Sequence, residues 1–299
     1  MDNHDEQRWK LLDILNLTTE HLKKKNFENP RLNAERLIGQ ALNMSRVELY
    51  LNFERPISPE ELQNIRNLVQ RRLKHEPLQY IIGETEFMSL TFKVNQHVLI
   101  PRPETEILVE KVMEKCKDKY QPEATISILD IGTGSGNIAI SLAKYVKNSR
   151  VTAVDVQPSA LEVATENARL NEVAHQVQFY LADIFQENFI EKFNEKFDVV
   201  VSNPPYVAKG DIGKLPDEIK KYEPLTALQG GSDGCRFYRR LAEISTQLLN
   251  KDGFVAFEIG QGQRETVTQI LKESRFTIVQ SFKDLNDIDR VVVAEKFVI

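Results

Sequence analysis

Apolar residues are spaced differently in the first quarter of the chain and in the remainder. Up to about residue 78 they recur every three or four positions, as in "WKLLDILNLTTEHL", a spacing typical of amphipathic helices. The stretch that begins at Ser58 also carries a helix start signal, because Pro59 follows the cap and Glu61 stands three residues after it. We therefore predict a small all-α domain, a helical bundle, over residues 1–78.

The pattern changes at Pro77, where apolar and polar residues begin to alternate around a break at Gly83. Alternation with a period of two is typical of strands that have one buried face. A Pro-Arg-Pro turn then leads into a helical pattern. We predict a β-hairpin linker over residues 79–103 and a second domain over residues 104–299.

Strand-length apolar runs alternate with helical patterns through most of the second domain. Such a series predicts an α/β fold in which helices cover both faces of a mostly parallel sheet. The last two runs follow each other closely, so we expect one of these strands to be antiparallel at an edge of the sheet. The predicted strands are residues 127–131, 151–156, 177–182, 198–202, 253–259, 276–281 and 290–294.

Composition and charge disfavour several classes of protein. The 299 residues are 41% hydrophobic and 28% charged, which fits a globular protein with a sizeable core. The net charge of -5 is opposite in sign to the basic surplus with which a dedicated nucleic-acid binder neutralises phosphates. No apolar run reaches the roughly 18 residues of a membrane span, and the start "MDNHDEQRWK" is too polar for a secretory signal. We expect a cytoplasmic protein with no membrane partner and no direct nucleic-acid partner.

The residues that most often bind metals are scattered along the chain. Cys116 and Cys235 are isolated from each other, and none of the five histidines forms an HExxH-type pair. The pattern favours an enzyme that works without a metal.

A glycine loop in "SILDIGTGSGNIAI" follows the first predicted strand of the sheet. Gly132, Gly134 and Gly136 stand just before a helical pattern, where they let a ligand approach the backbone. A dinucleotide-binding loop would need its third glycine at Asn137, so this sequence disfavours a dehydrogenase. Asp130, which ends the strand, would suit a cationic ligand better than a pyrophosphate.

Two further acids follow the next two predicted strands. Asp155 stands about 20 residues after the glycine loop, where a carboxylate accepts hydrogen bonds from ribose hydroxyls. Asp183 can accept from an exocyclic adenine amine, and Ile184 can pack on the adenine ring. Each acid alone is equally consistent with a loop cap. Together with the glycine loop, they predict a pocket for a cationic cofactor that carries ribose and adenine, such as S-adenosylmethionine.

The sequence Asn203-Pro204-Pro205-Tyr206 follows the fourth predicted strand. The side-chain oxygen of Asn203 and the carbonyl of Pro204 are two acceptors that can hold both hydrogens of one NH₂ group. Both prolines fix φ and lack an N–H, and Tyr206 offers a flat face to a planar group. The motif therefore predicts methyl transfer to a planar nitrogen, the alternative being a strand-ending turn with a packed tyrosine.

These residues resemble the signature of methyltransferases that act on planar nitrogens. Four further blocks resemble the HemK/PrmC family, the peptide chain release factor glutamine methyltransferases: "EPLQYIIGETEFMSL", "LIPRPETEILVE", "YEPLTALQGGSDG" and "FEIGQGQ". The resemblance implies a seven-stranded, Rossmann-like class I S-adenosylmethionine-dependent methyltransferase domain. It also implies methylation of the side-chain nitrogen (N5) of the glutamine in the Gly-Gly-Gln motif of bacterial class I release factors. We expect a monomer.

The resemblance also implies roles for individual residues. Asn203 and the Pro204 carbonyl would hold the glutamine amide, and Pro205 and Tyr206 would shape the slot around it. The turn at residues 102–105 would lie over the cofactor, and the helical bundle would help to dock the release factor. The residues that would contact or border the cofactor are Gly132, Thr133, Gly134, Ser135, Gly136, Asp155, Asp183, Ile184 and Asn203.

Two other acceptors stay open at this point. A glutamine methyltransferase of a ribosomal protein would share the motif at residues 203–206 and the glycine loop. A DNA adenine-N6 methyltransferase is less favoured, because no domain of base-reading size follows the motif and the chain is acidic.

Overall fold

The computed structural model describes residues 9–296, with the exception of the Ile278 side chain. The chain forms two compact units, of which one extends to Gly83 and also includes residues 217–222. Of the described residues, the other comprises 84–216 and 223–296. Within residues 9–296, no helix has both the length and the apolar character that a membrane span needs.

The first unit is helical, as the spacing of its apolar residues predicted. Ser58 accepts a hydrogen bond from the Glu61 backbone, and the Glu61 carboxylate accepts one from the Ser58 backbone, which confirms the predicted capping box. Leu11, Leu15 and Leu37 are fully buried in its core. Its helices are α1 (Leu11–Lys24), α2 (Pro30–Leu42), α3 (Arg46–Leu51), α4 (Pro59–Leu73) and α5 (Leu78–Ile82).

Helix α5 corrects the start that was predicted for the hairpin linker. Residues 78–82 are helical, and Gly83 ends this helix with a left-handed φ of 85°. The hairpin follows as β1 (Glu84–Phe87) and β2 (Leu90–Lys93), and it belongs to the second unit. Because the helix lasts only five residues, its apolar positions show too few turns to be distinguished from a strand.

A short helix far along the chain also belongs to the helical unit. Residues 217–222 leave the second unit and return to it at Glu223. The buried Arg72 side chain donates to the Glu218 carboxylate at 2.7 Å and to Asn33 at 2.8 Å. The Tyr222 hydroxyl donates to the Lys74 carbonyl at 2.9 Å. Long-range side-chain bonds therefore attach this helix to the bundle.

The second unit contains the seven-stranded sheet, in the order β5-β4-β3-β6-β7-β9-β8. All neighbouring strands from β5 to β7 run parallel to each other. The strands are β3 (Ile126–Ile131), β4 (Ser149–Asp155), β5 (Val177–Leu181), β6 (Phe197–Ser202), β7 (Leu249–Glu258), β8 (Phe276–Lys283) and β9 (Asp289–Lys296).

The reversed strand does not lie where the sequence pattern placed it. Strand β9 is antiparallel to both β7 and β8 and lies between them. An antiparallel pair therefore forms this edge, as predicted, but the strand that runs against the rest of the sheet is the inner β9 and the edge strand is β8. Val291 and Val293 belong to the apolar core on one face of the sheet, and Val292 and Ala294 belong to the core on the other. A strand that is buried on both faces gains more as an inner strand than at an edge.

Helices cover both faces of the sheet, as the alternating pattern predicted. Helices α6 (Pro103–Lys119), α7 (Asn137–Tyr145) and α8 (Pro158–Leu170) contribute to one apolar core. Helices α10 (Arg236–Leu248) and α11 (Arg264–Glu273) contribute to the other, and the short helix at residues 217–222 is α9.

Two asparagines attach the β1–β2 hairpin to this layer of helices, one within α8 and one just after it. The Asn167 side chain accepts a hydrogen bond from the Lys93 N–H at 2.7 Å and donates one to the Lys93 carbonyl at 3.0 Å. It also donates to the Ser135 carbonyl at 2.9 Å. Asn171 donates to the Thr91 carbonyl at 2.9 Å. Helix α8 therefore holds the hairpin and the glycine loop through the same side chain.

Candidate active site

A cavity of about 400 Å³ lies beyond the carboxyl ends of β3, β4, β5 and β6. Strand β3 has β4 on one side and β6 on the other, so the direction of chain progression reverses here, as in other open α/β sheets that bind ligands at this edge. Most of the predicted site residues line this cavity. They are Gly132, Thr133, Gly134, Ser135, Asp155, Asp183, Ile184, Asn203, Pro204 and Pro205.

We divide the cavity wall into two parts. The loop side consists of residues 132–135, Asp155 and residues 183–185. The proline side consists of residues 203–205 and the start of α6.

Gly136 does not line the cavity, although it was predicted to border the cofactor. It precedes the first residue of α7 with a left-handed φ of 82°. A Cβ at this position would lie 2.8 Å from the Ile140 side chain and 3.1 Å from the Ala164 side chain. The glycine is therefore required for the close packing of α7 on α8.

Asp130 also lies away from the cavity wall, whereas the sequence suggested that it would face a cationic ligand. Its side chain is fully buried, and its Oδ2 atom accepts a hydrogen bond from the Thr133 hydroxyl at 2.7 Å. Burial raises the pKa of Asp130 to about 7, although the Thr133 bond opposes this effect. Asp130 thus stabilises the glycine loop from the protein interior, through its hydrogen bond with Thr133.

Asp155 connects the loop to the end of β4. Its Oδ2 atom accepts from the Gly134 N–H and its Oδ1 atom from the Gln157 N–H, both at 2.9 Å. Each carboxylate oxygen has a further lone pair, so both can accept from a ligand in the cavity that the side chain lines. Burial raises the pKa of Asp155, against the effect of the backbone N–H groups.

The position of Asp183 is compatible with both roles that the sequence left open for it. Its Oδ1 atom accepts from the Phe185 N–H at 2.9 Å, which is a loop cap, and the side chain also lines the cavity. Ile184 is buried next to it.

An aromatic and cationic group completes the loop side, and sequence reasoning missed it. The Arg236 guanidinium lies 4.0 Å from the centre of the Phe185 ring. The Phe237 ring meets Phe185 edge-on, with ring centres 5.2 Å apart. All three side chains line the cavity. Phe185 stands next to Ile184 in the sequence, but the aromatic pair with α10 spans more than fifty positions and leaves no local pattern.

On the proline side, Asn203 is oriented by a residue of α6. Its Nδ2 atom donates to the Thr105 hydroxyl at 3.1 Å. The preceding Ser202 donates to the Ile131 carbonyl at 2.6 Å and so fixes the end of β6 to that of β3. Thr105 in turn donates to the buried Glu258 carboxylate at 2.6 Å. Sequence reasoning did not single out Glu258, although it stands in "FEIGQGQ", and it took Thr105 only as part of a turn.

Tyr206 does not line the cavity, although it was predicted to shape the slot. Its ring packs against the apolar core that α10 and α11 cover. Its carbonyl accepts from the Gln263 side chain at 3.0 Å, and a Cβ on Gly230 would lie 2.8 Å from the Tyr206 Cα. These contacts hold the backbone of the motif from behind.

The turn before α6 lies at the cavity, where Arg102 and Thr105 contribute to the wall. The Arg102 guanidinium donates to the buried Glu223 carboxylate, which also accepts from the Ile100 N–H at 3.2 Å. Residues 224 to 227, which follow Glu223, continue the same wall. The blocks "LIPRPETEILVE" and "YEPLTALQGGSDG" therefore meet through an ion pair between the partly exposed Arg102 and the buried Glu223.

Known proteins resemble the chain in both units. Residues 13–83 match the family model described as "PrmC N-terminal domain", and residues 103–217 match "Methyltransferase small domain". The chain is 41% identical over 285 residues to a release factor glutamine methyltransferase of Geobacter sulfurreducens, which covers 95% of this chain and 96% of that protein. It is 39% identical over 287 residues to one of Chlorobaculum tepidum, with coverage of 96% and 97%.

A solved structure resembles the fold. A methyltransferase from Pyrococcus furiosus matches with a TM-score of 0.51 and 18% identity, over 79% of this chain and 99% of that one. At that identity the similarity concerns the fold alone.

Proposed function

The chain belongs to the release factor glutamine methyltransferase family, and from that premise we propose that it methylates N5 of the glutamine in the Gly-Gly-Gln motif of bacterial class I release factors. We propose S-adenosylmethionine as the methyl donor. The observation that carries the proposal is one cavity whose wall combines the Asn203-Pro204 acceptors with the glycine loop and its two acids.

The residues of the loop side fit S-adenosylmethionine. Asp155 retains lone pairs for two ribose hydroxyls after its two backbone bonds, and Asp183 retains them for an adenine amine. The volume of about 400 Å³ falls in the roughly 300–1,000 Å³ range of small-molecule sites. When bound, this cofactor supplies an electrophilic methyl group on a sulfonium.

The proline side supplies the acceptor geometry. Asn203 Oδ1 and the Pro204 carbonyl accept the two hydrogens of the glutamine NH₂ group, which directs the nitrogen lone pair towards the methyl group. Their hydrogen bonds strengthen as positive charge develops on nitrogen, so they stabilise the transition state more than the ground state. Positioning of this kind contributes roughly 7–11 kcal/mol. As the bond from this nitrogen to the methyl carbon forms, the bond from that carbon to sulfur would break and leave S-adenosylhomocysteine. The methylated nitrogen would then return to a neutral amide by releasing one proton to water.

We also propose that the two parts of the chain have different functions. The helical part predicted over residues 1–78 docks the release factor, and residues 104–299 carry out methyl transfer. The compact helical unit that extends to Gly83 supports this division. In this proposal the enzyme acts as a cytoplasmic monomer, without a metal and without direct contact to nucleic acid.

A direct test uses three acceptors in parallel. The purified protein is incubated with radiolabelled S-adenosylmethionine and a release factor, a ribosomal protein mixture or DNA. We expect label on the release factor, at the Gly-Gly-Gln glutamine, and none on a Gly-Gly-Glu variant of it. An Asn203→Ala enzyme is the matched control. Label on the ribosomal protein alone, or on DNA alone, would refute the proposed substrate.

A further inference from the structure

Hydrogen bonds link three side chains at and behind the proline side: Asn203, Thr105 and Glu258. We propose that Glu258 and Thr105 are positioning residues that fix the direction of the Asn203 amide, so that its oxygen points into the cavity and selects an amide over an acid. This inference rests on the proposed function, because it concerns how the same site chooses glutamine.

The three side chains come from three different elements. Glu258 ends β7, Thr105 is the third residue of α6, and Asn203 follows β6. Thr105 Oγ1 lies 2.6 Å from Glu258 Oε2, and Asn203 Nδ2 lies 3.1 Å from Thr105 Oγ1. Glu258 and Thr105 are each only 2% exposed. Asn203 and Thr105 line the cavity, whereas Glu258 lies behind them, so it acts on the substrate only through its neighbours.

The direction of the chain follows from the inventory of donors and acceptors. An ionised carboxylate such as Glu258 can only accept, so the single hydroxyl hydrogen of Thr105 is committed to it. The Thr105 oxygen must then accept from its other neighbour. Of the two ends of the Asn203 amide, only the NH₂ group can donate. The carbonyl oxygen of Asn203 is consequently the end available to the substrate.

The opposite orientation would fill the same space and reverse the chemistry. An inward-pointing NH₂ group of Asn203 would meet the NH₂ group of glutamine donor to donor, and one N–H would be left unpaired. The same NH₂ group would bind a carboxylate well. Since the two orientations of an amide have almost the same shape, packing alone does not choose between them. The direction of the Glu258–Thr105 chain does.

Protonation of Glu258 would release this constraint. Burial raises its pKa to about 7, while hydrogen bonds from Thr105 and, more weakly, from the Asn203 side chain oppose the shift. Arg290 lowers the pKa and Glu104 raises it, and the Tyr206 and Tyr238 hydroxyl groups also interact electrostatically with this carboxylate. A protonated Glu258 can donate to Thr105, whose own hydrogen can then turn towards Asn203. The rate of transfer should therefore rise with pH through about 7.

The test compares variants that keep shape but change hydrogen bonding. Glu258→Gln and Thr105→Val should each lower kcat roughly 10- to 100-fold, with the cofactor Kd from calorimetry unchanged within about threefold. Thr105→Ser keeps the hydroxyl and should recover most of the activity. Thr165→Val is the matched control, because the Thr165 hydroxyl donates to the Leu161 carbonyl of its own helix. It should leave kcat unchanged.

The decisive readout is competition by a release factor that carries Gly-Gly-Glu. This competitor should inhibit Glu258→Gln and Thr105→Val enzymes more strongly than the wild type, since a reversed Asn203 can donate to its carboxylate. The rise of kcat with pH through about 7 should also disappear in Glu258→Gln. If Glu258→Gln does not fold, inhibition by the Gly-Gly-Glu competitor is compared between Thr105→Val and Thr105→Ser instead.

Two results would overturn the inference. One is a Glu258→Gln or Thr105→Val enzyme with wild-type kcat and wild-type discrimination against the Gly-Gly-Glu competitor. The other is a loss of activity that Thr105→Ser does not rescue and that leaves the competitor as weak as before, which indicates a purely structural role. Failure of the proposed function is distinguishable, because the wild-type enzyme would then not label the release factor at all.

Discussion

The two sides of the cavity are built from different kinds of interaction. The loop side is held mainly by backbone groups, as in the bonds of Asp155 to the Gly134 and Gln157 N–H groups and of Asp183 to the Phe185 N–H. The proline side is held by side chains from distant parts of the chain, since Asn203 and Thr105 are 98 positions apart and Thr105 and Glu258 are 153 apart. The loop side therefore depends on backbone conformation, and the proline side depends on the identity of a few side chains.

The largest expected effect comes from removing the clamp on the proline side. Asn203→Ala should lower the rate of methyl transfer by roughly 10²–10³-fold or more, because it removes an acceptor that stabilises charge in the transition state. Cofactor affinity should stay within about fivefold, since the loop side is unchanged. Single-turnover kinetics and calorimetry measure the two effects separately. An Asn203→Ala enzyme with normal turnover would contradict the clamp.

Removing an acid from the loop side should instead weaken cofactor binding and leave the rate of transfer nearly unchanged. Asp155→Ala should weaken cofactor binding by about 10- to 100-fold, or about 1.4–2.8 kcal/mol, with little change in kcat at saturating cofactor. The variant loses ligand acceptors and also the bond to the Gly134 N–H. Asp183→Ala is a matched comparison with a smaller expected loss, because its carboxylate makes a single backbone bond. Unchanged cofactor affinity in calorimetry would count against the assignment of Asp155.

The glycine loop allows backbone and packing effects to be separated. Gly136→Ala should lower the free energy of unfolding by about 2–3 kcal/mol, because its Cβ would meet Ile140 and Ala164 in a left-handed conformation. Gly134→Ala has the same φ sign but open space around the new Cβ, so it should cost only about 1 kcal/mol. Urea denaturation compares the two. Equal stability of the two variants would show that Gly136 is not needed for packing.

The smallest expected effect is a change in how stability depends on pH. Burial raises the pKa values of Asp130 and Glu258 to about 7, so between pH 4.5 and 7 the folded state binds more protons than the unfolded state. Their contribution to stability is therefore present at the acidic end of this window and is lost as pH rises through about 7. Asp130→Asn and Glu258→Gln should both flatten this dependence in denaturation at pH 5 to 8.

The same two variants distinguish the sides of the cavity. Asp130→Asn, under the loop side, should leave the pH dependence of methyl transfer unchanged, whereas Glu258→Gln should alter it. If methyl transfer by the two variants had the same pH dependence, protonation of Glu258 would not affect the reaction differently from protonation of Asp130.

The loop side could be predicted from sequence because its signals are local. Strand ends, glycines and acids follow one another within a few residues, so the pattern placed Gly132, Asp155 and Asp183 at one sheet edge, and they line one cavity there. The prediction for Gly136, which does not line the cavity, has the same origin. A glycine that opens the backbone to a ligand and a glycine that lets two helices touch look alike in sequence.

The remainder depends on contacts that no short pattern encodes. Thr105 and Glu258 acquire their roles only when α6 and β7 meet behind Asn203. Strand β9 lies inside the sheet because both its faces are buried. In the sequence, however, its short apolar run looks the same as that of an edge strand that packs under a helix. Tyr206 packs into the core because the glycines beside its backbone let the chain pass closely, and they stand more than twenty residues away.

The Asn167 side chain has a consequence for the order in which the second unit opens. It bonds the Lys93 N–H of the hairpin and the Ser135 carbonyl of the glycine loop at once, so neither can detach without breaking a contact of α8. Hydrogen exchange at the Lys93 amide should therefore report opening of the helix rather than fraying of a four-residue strand. A ligand that binds the loop should slow this exchange, although it touches no atom of the hairpin.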